Sequence, residues 1–305
     1  MTPQLLFVDD EKNVLQGLRR SLRCMRHDWT MHFAEGAAAA LDVLQNTPID
    51  IIVSDMRMPE MDGAQLLEKV SVDYPSTARF VLSGQADRET TYRSIGPSHR
   101  FFSKPYDGDA FSEAVNRVLE ARRQLSPEAV TAVSHLKCLP TPEATRETFR
   151  REMAADSRTV DQIADIVAAD VGLSLKVLQL TNSSYFGHGG EVSCPRQAVR
   201  MLDLAVLQEL TDQHRLSVGL VRSEHADAFE ALCTEAVEAS GSDPLGLFST
   251  LDRMLALTDD GACLGDEAPS AAAYLTSLWG LPASIVSVCQ SLGAKPGGAE
   301  QTLVA

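Results

Sequence analysis

The chain has 305 residues, of which 44% are hydrophobic and 23% charged, and its formal net charge is −15. This length exceeds one ordinary domain core and predicts two domains. The negative charge is concentrated from residue 204 onward, where 14 acidic residues accompany only 4 basic ones. Such a surface repels nucleic acid and anionic membranes, so neither is expected as a partner.

The cysteines and the N-terminus indicate the cellular location to expect for the protein. No spacing among the cysteines matches a paired metal site, and most lie in apolar surroundings, which indicates reduced residues of a cytosolic protein. They are Cys24, Cys138, Cys194, Cys233, Cys263 and Cys289. The N-terminus lacks the charged-then-apolar pattern of a signal peptide, and no apolar run approaches membrane-spanning length. The expected location is the cytoplasm.

Short apolar runs alternate with helical patterns over about the first 125 residues. Apolar residues recur at helical spacing between the runs, as at Val14, Leu18 and Leu22. Continuous apolar strands that alternate with helices are typical of a parallel sheet buried on both faces. We predict a doubly wound α/β domain of five units, whose ligands bind at the carboxyl ends of the strands. The predicted strands are 4–8, 30–34, 49–54, 79–83 and 100–103.

Carboxylates stand at the ends of two predicted strands. Asp9 and Asp10 follow the first, and Asp55 follows the third. In a parallel sheet they meet at one edge, together with Ser83 and Lys104 from the ends of two later strands. Because three carboxylates without a counter-ion repel one another, either one keeps a proton or a hard divalent cation lies among them. Oxygen ligands of this kind suit Mg²⁺.

These residues resemble the receiver domains of bacterial two-component response regulators, which have the flavodoxin-like fold. Four motifs carry the resemblance in the family's order. They are Val8-Asp9-Asp10-Glu11, the signature at 52–63 with Asp55-Met56-Arg57-Met58-Pro59, then Ser83-Gly84 and Lys104-Pro105. The resemblance implies that Asp55 is the phosphoacceptor and takes a phosphoryl group from a histidine kinase. It also implies that Lys104 pairs with the phosphoryl oxygens.

Further roles follow from the same resemblance. Asp10 and Asp55 would bind Mg²⁺ directly, together with the backbone carbonyl of Arg57, and Asp9 would bind it through water. The Ser83 hydroxyl would move toward the phosphoryl group, and Phe101 occupies the position of the family's switch aromatic. Phosphoryl transfer depends mainly on positioning and on neutralisation of charge, which agrees with this division of roles.

The segment between Gly84 and Lys104 is less regular than the rest of the predicted receiver. It holds few apolar residues and a Gly96-Pro97 breaker, so the fourth helix is expected to be short or poorly formed. The local sequence, with Ser-Gly-Gln-Ala-Asp and Phe-Phe-Ser-Lys-Pro-Tyr-Asp, resembles that of receivers that precede HD-type output domains.

Helical patterns fill the remainder of the chain. A helix over about 109–125 finishes the receiver, and Ser126-Pro127 then begins a new helix as a cap with proline at its first position. No alternating strand pattern follows Ser103. We therefore predict a receiver at 1–125, an all-α domain at 126–295 and a flexible tail at 296–305.

This second region resembles the HDOD domain, a relative of HD-type phosphohydrolases. The resemblance lies in segments 136–142, 163–187, 192–203 and 273–286, which include Leu139-Pro140-Thr141-Pro142 and Leu278-Trp279-Gly280-Leu281-Pro282. The stretch 217–265 departs from the family's pattern and is shorter. It has no counterpart of the family's usual histidine-bearing segment, which leaves the fold of the central helices open.

That departure bears on whether the second region is an enzyme. A metal-dependent phosphohydrolase needs histidines and aspartates that converge on a metal. After residue 125 the chain holds four histidines, and none is followed directly by aspartate: His135, His188, His214 and His225. His225 with Asp227 is the one candidate pair, and a solvated helix face is the simpler interpretation. His188, beside glycines, is interpreted as a loop residue.

The leading hypothesis is a response regulator in which phosphorylation of Asp55 changes how a non-catalytic HDOD-like domain presents a protein-binding surface. Its implied partners are a sensor histidine kinase or phosphotransfer protein, a downstream protein and, as one option, a second copy of the chain in a homodimer. Two alternatives stay open. One is a metal-dependent phosphohydrolase acting on a nucleotide or cyclic dinucleotide, and the other is a phosphate sink or scaffold.

Overall fold

The structure is a computed structural model that describes residues 2–84, 94–184, 191–212, 216, 225–241, 243–258 and 260–292. Its N-terminal part contains a five-stranded sheet. The strands are β1 (Gln4–Asp9), β2 (Thr30–Glu35), β3 (Ile51–Ser54), β4 (Ala78–Ser83) and β5 (Arg100–Ser103). All neighbouring strands pair in parallel, in the order β2-β1-β3-β4-β5. This is the flavodoxin-like order of a doubly wound α/β fold.

Four described helices accompany the sheet: α1 (Lys12–Ser21), α2 (Gly36–Asn46), α3 (Gly63–Asp73) and α4 (Gly108–Arg122), which follows β5. The central strand β3 is buried along its whole length, as expected for a strand covered on both faces. Leu15 and Leu18 of α1, which belong to the periodic apolar set, are also buried. The predicted fold class of this part is confirmed.

The part of the chain after β5 that the structure describes is helical, and no named strand occurs in it. Its α-helices are α5 (Pro127–His135), α6 (Glu143–Ala154), α7 (Val160–Ala168), α8 (Val171–Thr181), α9 (Pro195–Met201), α10 (Leu204–Asp212), α11 (Ala226–Ala239), α12 (Leu251–Ala256), α13 (Ala268–Leu278) and α14 (Ala283–Leu292). Ser126 caps α5 and Thr159 caps α7 through a capping box, as their sequence positions indicate. Every residue of α8 is buried, so this helix lies at the centre of the second region.

The two regions pack tightly against each other. Helix α13 contacts both α4 of the receiver and α5. The buried apolar residues of the two regions belong to one continuous cluster. The boundary that we predict near residue 125 falls between the end of α4 and the start of α5.

The predicted strands agree with the structure to within about two residues. The third strand was predicted to begin at residue 49, whereas β3 begins at Ile51, because Ile49 and Asp50 precede the paired residues. The irregular fourth helix of the receiver falls largely on residues 85–93, outside the described residues, as does the tail at 296–305. No described helix is both long enough and apolar enough to cross a membrane.

Candidate phosphoacceptor site and the junction between the domains

Three side chains from three strand ends meet at the carboxyl edge of the sheet. The ammonium Nζ of Lys104 lies 2.6 Å from Oδ1 of Asp55 and 2.6 Å from Oδ2 of Asp9. Asp9 is almost fully buried, and the carboxylate of Asp55 is 11% exposed. Lys104 thus bridges two carboxylates from strands that neighbour each other in the sheet.

The second oxygen of each carboxylate accepts a backbone hydrogen bond. The N–H of Glu11 donates to Oδ1 of Asp9 at 2.9 Å, and the N–H of Arg57 donates to Oδ2 of Asp55 at 2.6 Å. Both donors lie two residues beyond the acid, so each turn after a strand fixes its own carboxylate. The arrangement holds the two acids oriented toward Lys104.

Lys104 is more basic than an ordinary lysine. Burial lowers the pKa of Lys104, but hydrogen bonds to Asp55 and Asp9 and their negative charge outweigh this effect and raise it above 10.5. A folded-state pKa above the unfolded value stabilises the fold at every pH below 10.5. This contribution is lost only as pH rises through the folded-state pKa.

The loop between β3 and α3 turns back tightly beneath Asp55. The N–H of Gly63 donates to the carbonyl of Met56 at 3.0 Å, and Met56 is fully buried. Asp62 caps α3 by accepting from the N–H of Gln65, whose side chain accepts from the N–H of Asp62 in return. Glu60 adopts a positive φ of 65° in this loop. The segment around Asp55 therefore builds a turn and a helix start as well as placing a carboxylate at the end of the strand.

Of the remaining predicted site residues, Asp10, Arg57 and Ser83 end or follow strands at this rim, whereas Phe101 lies inside β5. Asp10 is exposed directly after β1, and Arg57 is exposed in the loop after β3. Ser83 is the last residue of β4, and its carbonyl accepts from the N–H of Lys104 at 2.9 Å. Phe101 is buried in β5, where its carbonyl accepts from the Ser184 hydroxyl at 3.2 Å. Ser184 belongs to the second region, so the strand that carries Phe101 touches the junction directly.

The donor set at this rim fits a hard divalent cation. Three carboxylates and one ammonium leave a net charge of two negative units, and all candidate donors are oxygen atoms. Among the described residues, no group of three or more histidine, cysteine or carboxylate side chains is already gathered for a metal. A metal at this rim would therefore rely on backbone carbonyl and water ligands in addition to carboxylates, as Mg²⁺ commonly does.

The histidines and cysteines of the second region are dispersed. His135 is exposed at the end of α5, His225 precedes α11, and His188 and His214 lie outside the described residues. None of the six cysteines forms a disulfide bond. Cys138, Cys233 and Cys289 are buried, whereas Cys24 and Cys263 are exposed, so the expected apolar setting fails for these two. Cys24 follows the amphipathic helix α1 and faces solvent from a short 3-10 turn (Arg23–His27).

The junction contains buried polar residues that the sequence pattern did not single out. Arg79, His99 and Lys176 are each at most 1% exposed, and Gln179 is also buried. Nε2 of Gln179 donates to the carbonyl of His99 at 2.8 Å, which joins α8 to the segment before β5. The one available signal was a basic residue inside an otherwise apolar run, as at Arg79 before Phe80 and at Lys176 within α8.

Each of the two regions matches a known domain family. Residues 5–116 match the response regulator receiver domain, and residues 139–238 match the HDOD domain. The chain is a receiver–HDOD protein. The receiver match spans β1 to α4 and includes Asp9, Asp55 and Lys104. The HDOD match begins at Leu139 and ends within α11.

Two bacterial regulatory proteins resemble parts of this chain. It is 26% identical over 195 residues to the transcriptional regulatory protein GlrR of Escherichia coli, a match over 64% of this chain and 40% of that protein. It is 35% identical over 130 residues to the response regulator Rre1 of Synechocystis, covering 41% of this chain and 54% of that protein. The chain thus spans only about half of these relatives.

Among solved structures, the receiver resembles the signal receiver domain of an HD domain-containing protein from Pseudomonas fluorescens. The two are 33% identical, with a TM-score of 0.39, over 41% of this chain and all of that one. A response regulator receiver domain from Clostridium thermocellum is 22% identical, with a TM-score of 0.38, over 41% of this chain and 99% of that one.

Proposed function

We propose that this protein is a response regulator of a two-component system, in which Asp55 accepts a phosphoryl group from a sensor histidine kinase or phosphotransfer protein in the cytoplasm. The observation that carries the proposal is the bridge from Lys104 to Asp55 and Asp9. A carboxylate held 2.6 Å from an ammonium group at an open sheet edge is oriented for attack on phosphorus. The P–N bond to the donor histidine breaks as the P–O bond to Asp55 forms, giving an acyl phosphate.

Asp10, Asp55 and the backbone carbonyl of Arg57 would hold Mg²⁺, with Asp9 bound through water. The ion would supply positive charge to the phosphoryl oxygens. We expect Nζ of Lys104 to turn from the carboxylates toward the new phosphoryl group, since Nζ is the group that bonds to them. The hydroxyl of Ser83 and the ring of Phe101 would then respond to the added charge, which changes the face of the receiver that includes β5 and α4.

The HDOD domain would act as a non-catalytic output domain that binds a downstream protein. Its direct packing on α4 and β5 supports this role, because the packed surfaces connect it to the site of phosphorylation. The acidic composition after residue 204 favours a protein partner with a basic surface over nucleic acid. A homodimer of the phosphorylated form is a further expected partner state, and its test is the mass of the phosphorylated protein in solution.

Labelling tests the phosphoacceptor role. The full chain is incubated with acetyl phosphate and Mg²⁺, and the phosphorylated fraction is measured by intact mass. We expect one added phosphoryl group in the wild type and none in Asp55→Asn. Asp62→Asn is the matched control, because Asp62 caps α3 and asparagine caps a helix as well as aspartate does. Unchanged labelling of Asp55→Asn would refute the assignment.

A further inference from the structure

Arg79 is a fully buried cation at the junction of the two domains, and backbone carbonyl groups accept its hydrogen bonds. Its Nε donates to the carbonyl of Pro97 at 2.5 Å and its Nη1 to the carbonyl of Thr77 at 3.0 Å. Its Nη2 donates to the carbonyl of Ser134, in the HDOD domain, at 2.8 Å. Burial lowers the pKa of Arg79 to about 10, so it remains charged at neutral pH. A cation whose hydrogen bonds go to neutral carbonyl groups is costly to bury, and losing one acceptor leaves it under-solvated.

His99 joins the same carbonyl. Nδ1 of His99 accepts the backbone N–H of Arg79 at 3.0 Å, so the proton of the neutral ring must reside on Nε2. Nε2 lies 2.9 Å from the carbonyl of Ser134 and donates to it. The short approach of Nη2 of Arg79 to Nε2 of His99, 2.8 Å, is therefore a contact between two donors that share one acceptor.

The shared acceptor is a helix C-terminus. Ser134 lies in the last turn of α5, where carbonyl groups lack donors within the helix and the helix dipole is negative. Two donors from the receiver thus cap a helix of the HDOD domain. We call this arrangement of Arg79 and His99 on the Ser134 carbonyl the clasp. Lys176 extends the capping by donating to the carbonyl of Lys137, just beyond the helix, at 2.9 Å.

The clasp lies on the two strands that carry the expected switch residues. Arg79 belongs to β4, which ends at Ser83, and His99 directly precedes β5, which contains Phe101 and leads to Lys104. The N–H of His99 also bonds to the carbonyl of Arg79 at 2.8 Å, so the strands move together at this point. A shift of either strand relative to α5 changes the distances from both donors to Ser134.

We propose that the clasp is the two-state element through which phosphorylation of Asp55 changes the HDOD domain. In the closed state described here, Arg79 and His99 hold α5 on the receiver. Movement of β4 and β5 after phosphorylation separates the donors from Ser134. Helix α5 is then released from the receiver, together with the segment Leu136–Pro140 at the start of the HDOD domain. This inference rests on the proposed function, because the signal originates at Asp55.

Hydrogen exchange of the full-length chain tests it, with and without beryllofluoride and Mg²⁺ as a phosphoryl mimic. In the wild type we expect beryllofluoride to speed exchange of the amides of α5. In Arg79→Met and His99→Leu, a charged or buried hydrogen bond is lost, so exchange of the α5 amides should be about tenfold faster even without beryllofluoride. Adding beryllofluoride should then change that exchange little. Arg79→Lys keeps the charge with a single donor group and is the milder variant should Arg79→Met not fold.

The matched control is Lys137→Met, which breaks the exposed ion pair of Lys137 with Glu68 across the same junction. An exposed pair contributes little, so this variant should behave as the wild type. Clasp variants that keep wild-type exchange and a full beryllofluoride response would overturn the inference. So would Asp55 labelling without any response of α5. An Asp55 that takes no label overturns the proposed function itself, which the labelling assay reveals separately.

Discussion

Gly63 packs against the carbonyl group of Asp55 so closely that a Cβ on residue 63 would lie 2.0 Å from that oxygen. The same Cβ would lie 3.0 Å from Cα of Met56. Both obstacles are backbone atoms, which cannot rotate out of the way as a flexible side chain can. The identity of residue 63 is therefore coupled sterically to the position of Asp55, the proposed phosphoacceptor.

Replacing Gly63 by alanine should distort the loop beneath Asp55. We expect Gly63→Ala to lower the free energy of unfolding by about 1–3 kcal/mol, the usual cost of overpacking, and to slow labelling by acetyl phosphate. Gly17→Ala is the control, because a Cβ there meets nothing within 4 Å and alanine favours the helix α1 by about 0.5–1 kcal/mol. Urea unfolding of both variants measures the contrast, and equal stabilities would contradict it.

Removing the cation of the pocket should make the protein more dependent on divalent metal. Lys104→Met leaves the buried carboxylate of Asp9 beside Asp55 without a counter-ion. We expect a loss of about 2 kcal/mol in stability in the presence of EDTA. Added Mg²⁺ should then raise the melting temperature more than it does in the wild type. A smaller response to Mg²⁺ than that of the wild type would argue against a metal site at this rim.

His99 should make the fold sensitive to mild acid. Burial and the positive charges of Arg79 and Lys176 hold the pKa of His99 well below 6.5. As pH falls below 6.5, His99 therefore takes up a proton in the unfolded chain before it does so in the folded one. The stability that neutral His99 contributes is fully present above that pH and is lost progressively below it. Between pH 7.5 and 5.5, wild-type stability should fall more than that of His99→Gln, by up to about 1.4 kcal/mol per pH unit. Urea unfolding at both pH values measures this, and parallel pH profiles would contradict it.

Asp170 should show the opposite dependence on pH. It caps α8 and accepts from the N–H of Leu173 and the hydroxyl of Thr141, yet burial raises its pKa to about 6. The folded state then binds the proton more tightly than the unfolded state, whose pKa is 3.8, so this group weakens the fold as pH rises from about 4 to about 6.

Two substitutions separate the cap of α8 from the charge of Asp170. Asp170→Asn keeps the cap and removes the charge, so it should be more stable than the wild type at pH 8 by about 1–3 kcal/mol and similar to it at pH 4. Asp170→Ala removes the cap as well and should cost about 1 kcal/mol at pH 4. Denaturant unfolding at both pH values measures these differences. An Asp170→Asn variant less stable than the wild type at pH 8 would show that the ionised form is the favoured one.

The pocket at the carboxyl edge of the sheet can be predicted from the sequence alone. Asp9, Asp55 and Lys104 each stand at the end of an apolar run, and parallel pairing leaves only one edge at which such residues can meet. The alternation of strands and helices can also be predicted from the sequence, because it follows from local periodicity.

The tertiary structure alone decided what holds the two domains together. The sequence placed Arg79 at the start of a strand and offered no acceptor for it, since Ser134 lies 55 residues later, in another domain. The carbonyl of Ser134 has no signature in sequence, because every residue carries one. Only the packing of α5 on the receiver shows which carbonyl is capped, and by which donors. Strand-end chemistry is local and periodic, whereas the partners of buried polar groups depend on long-range docking.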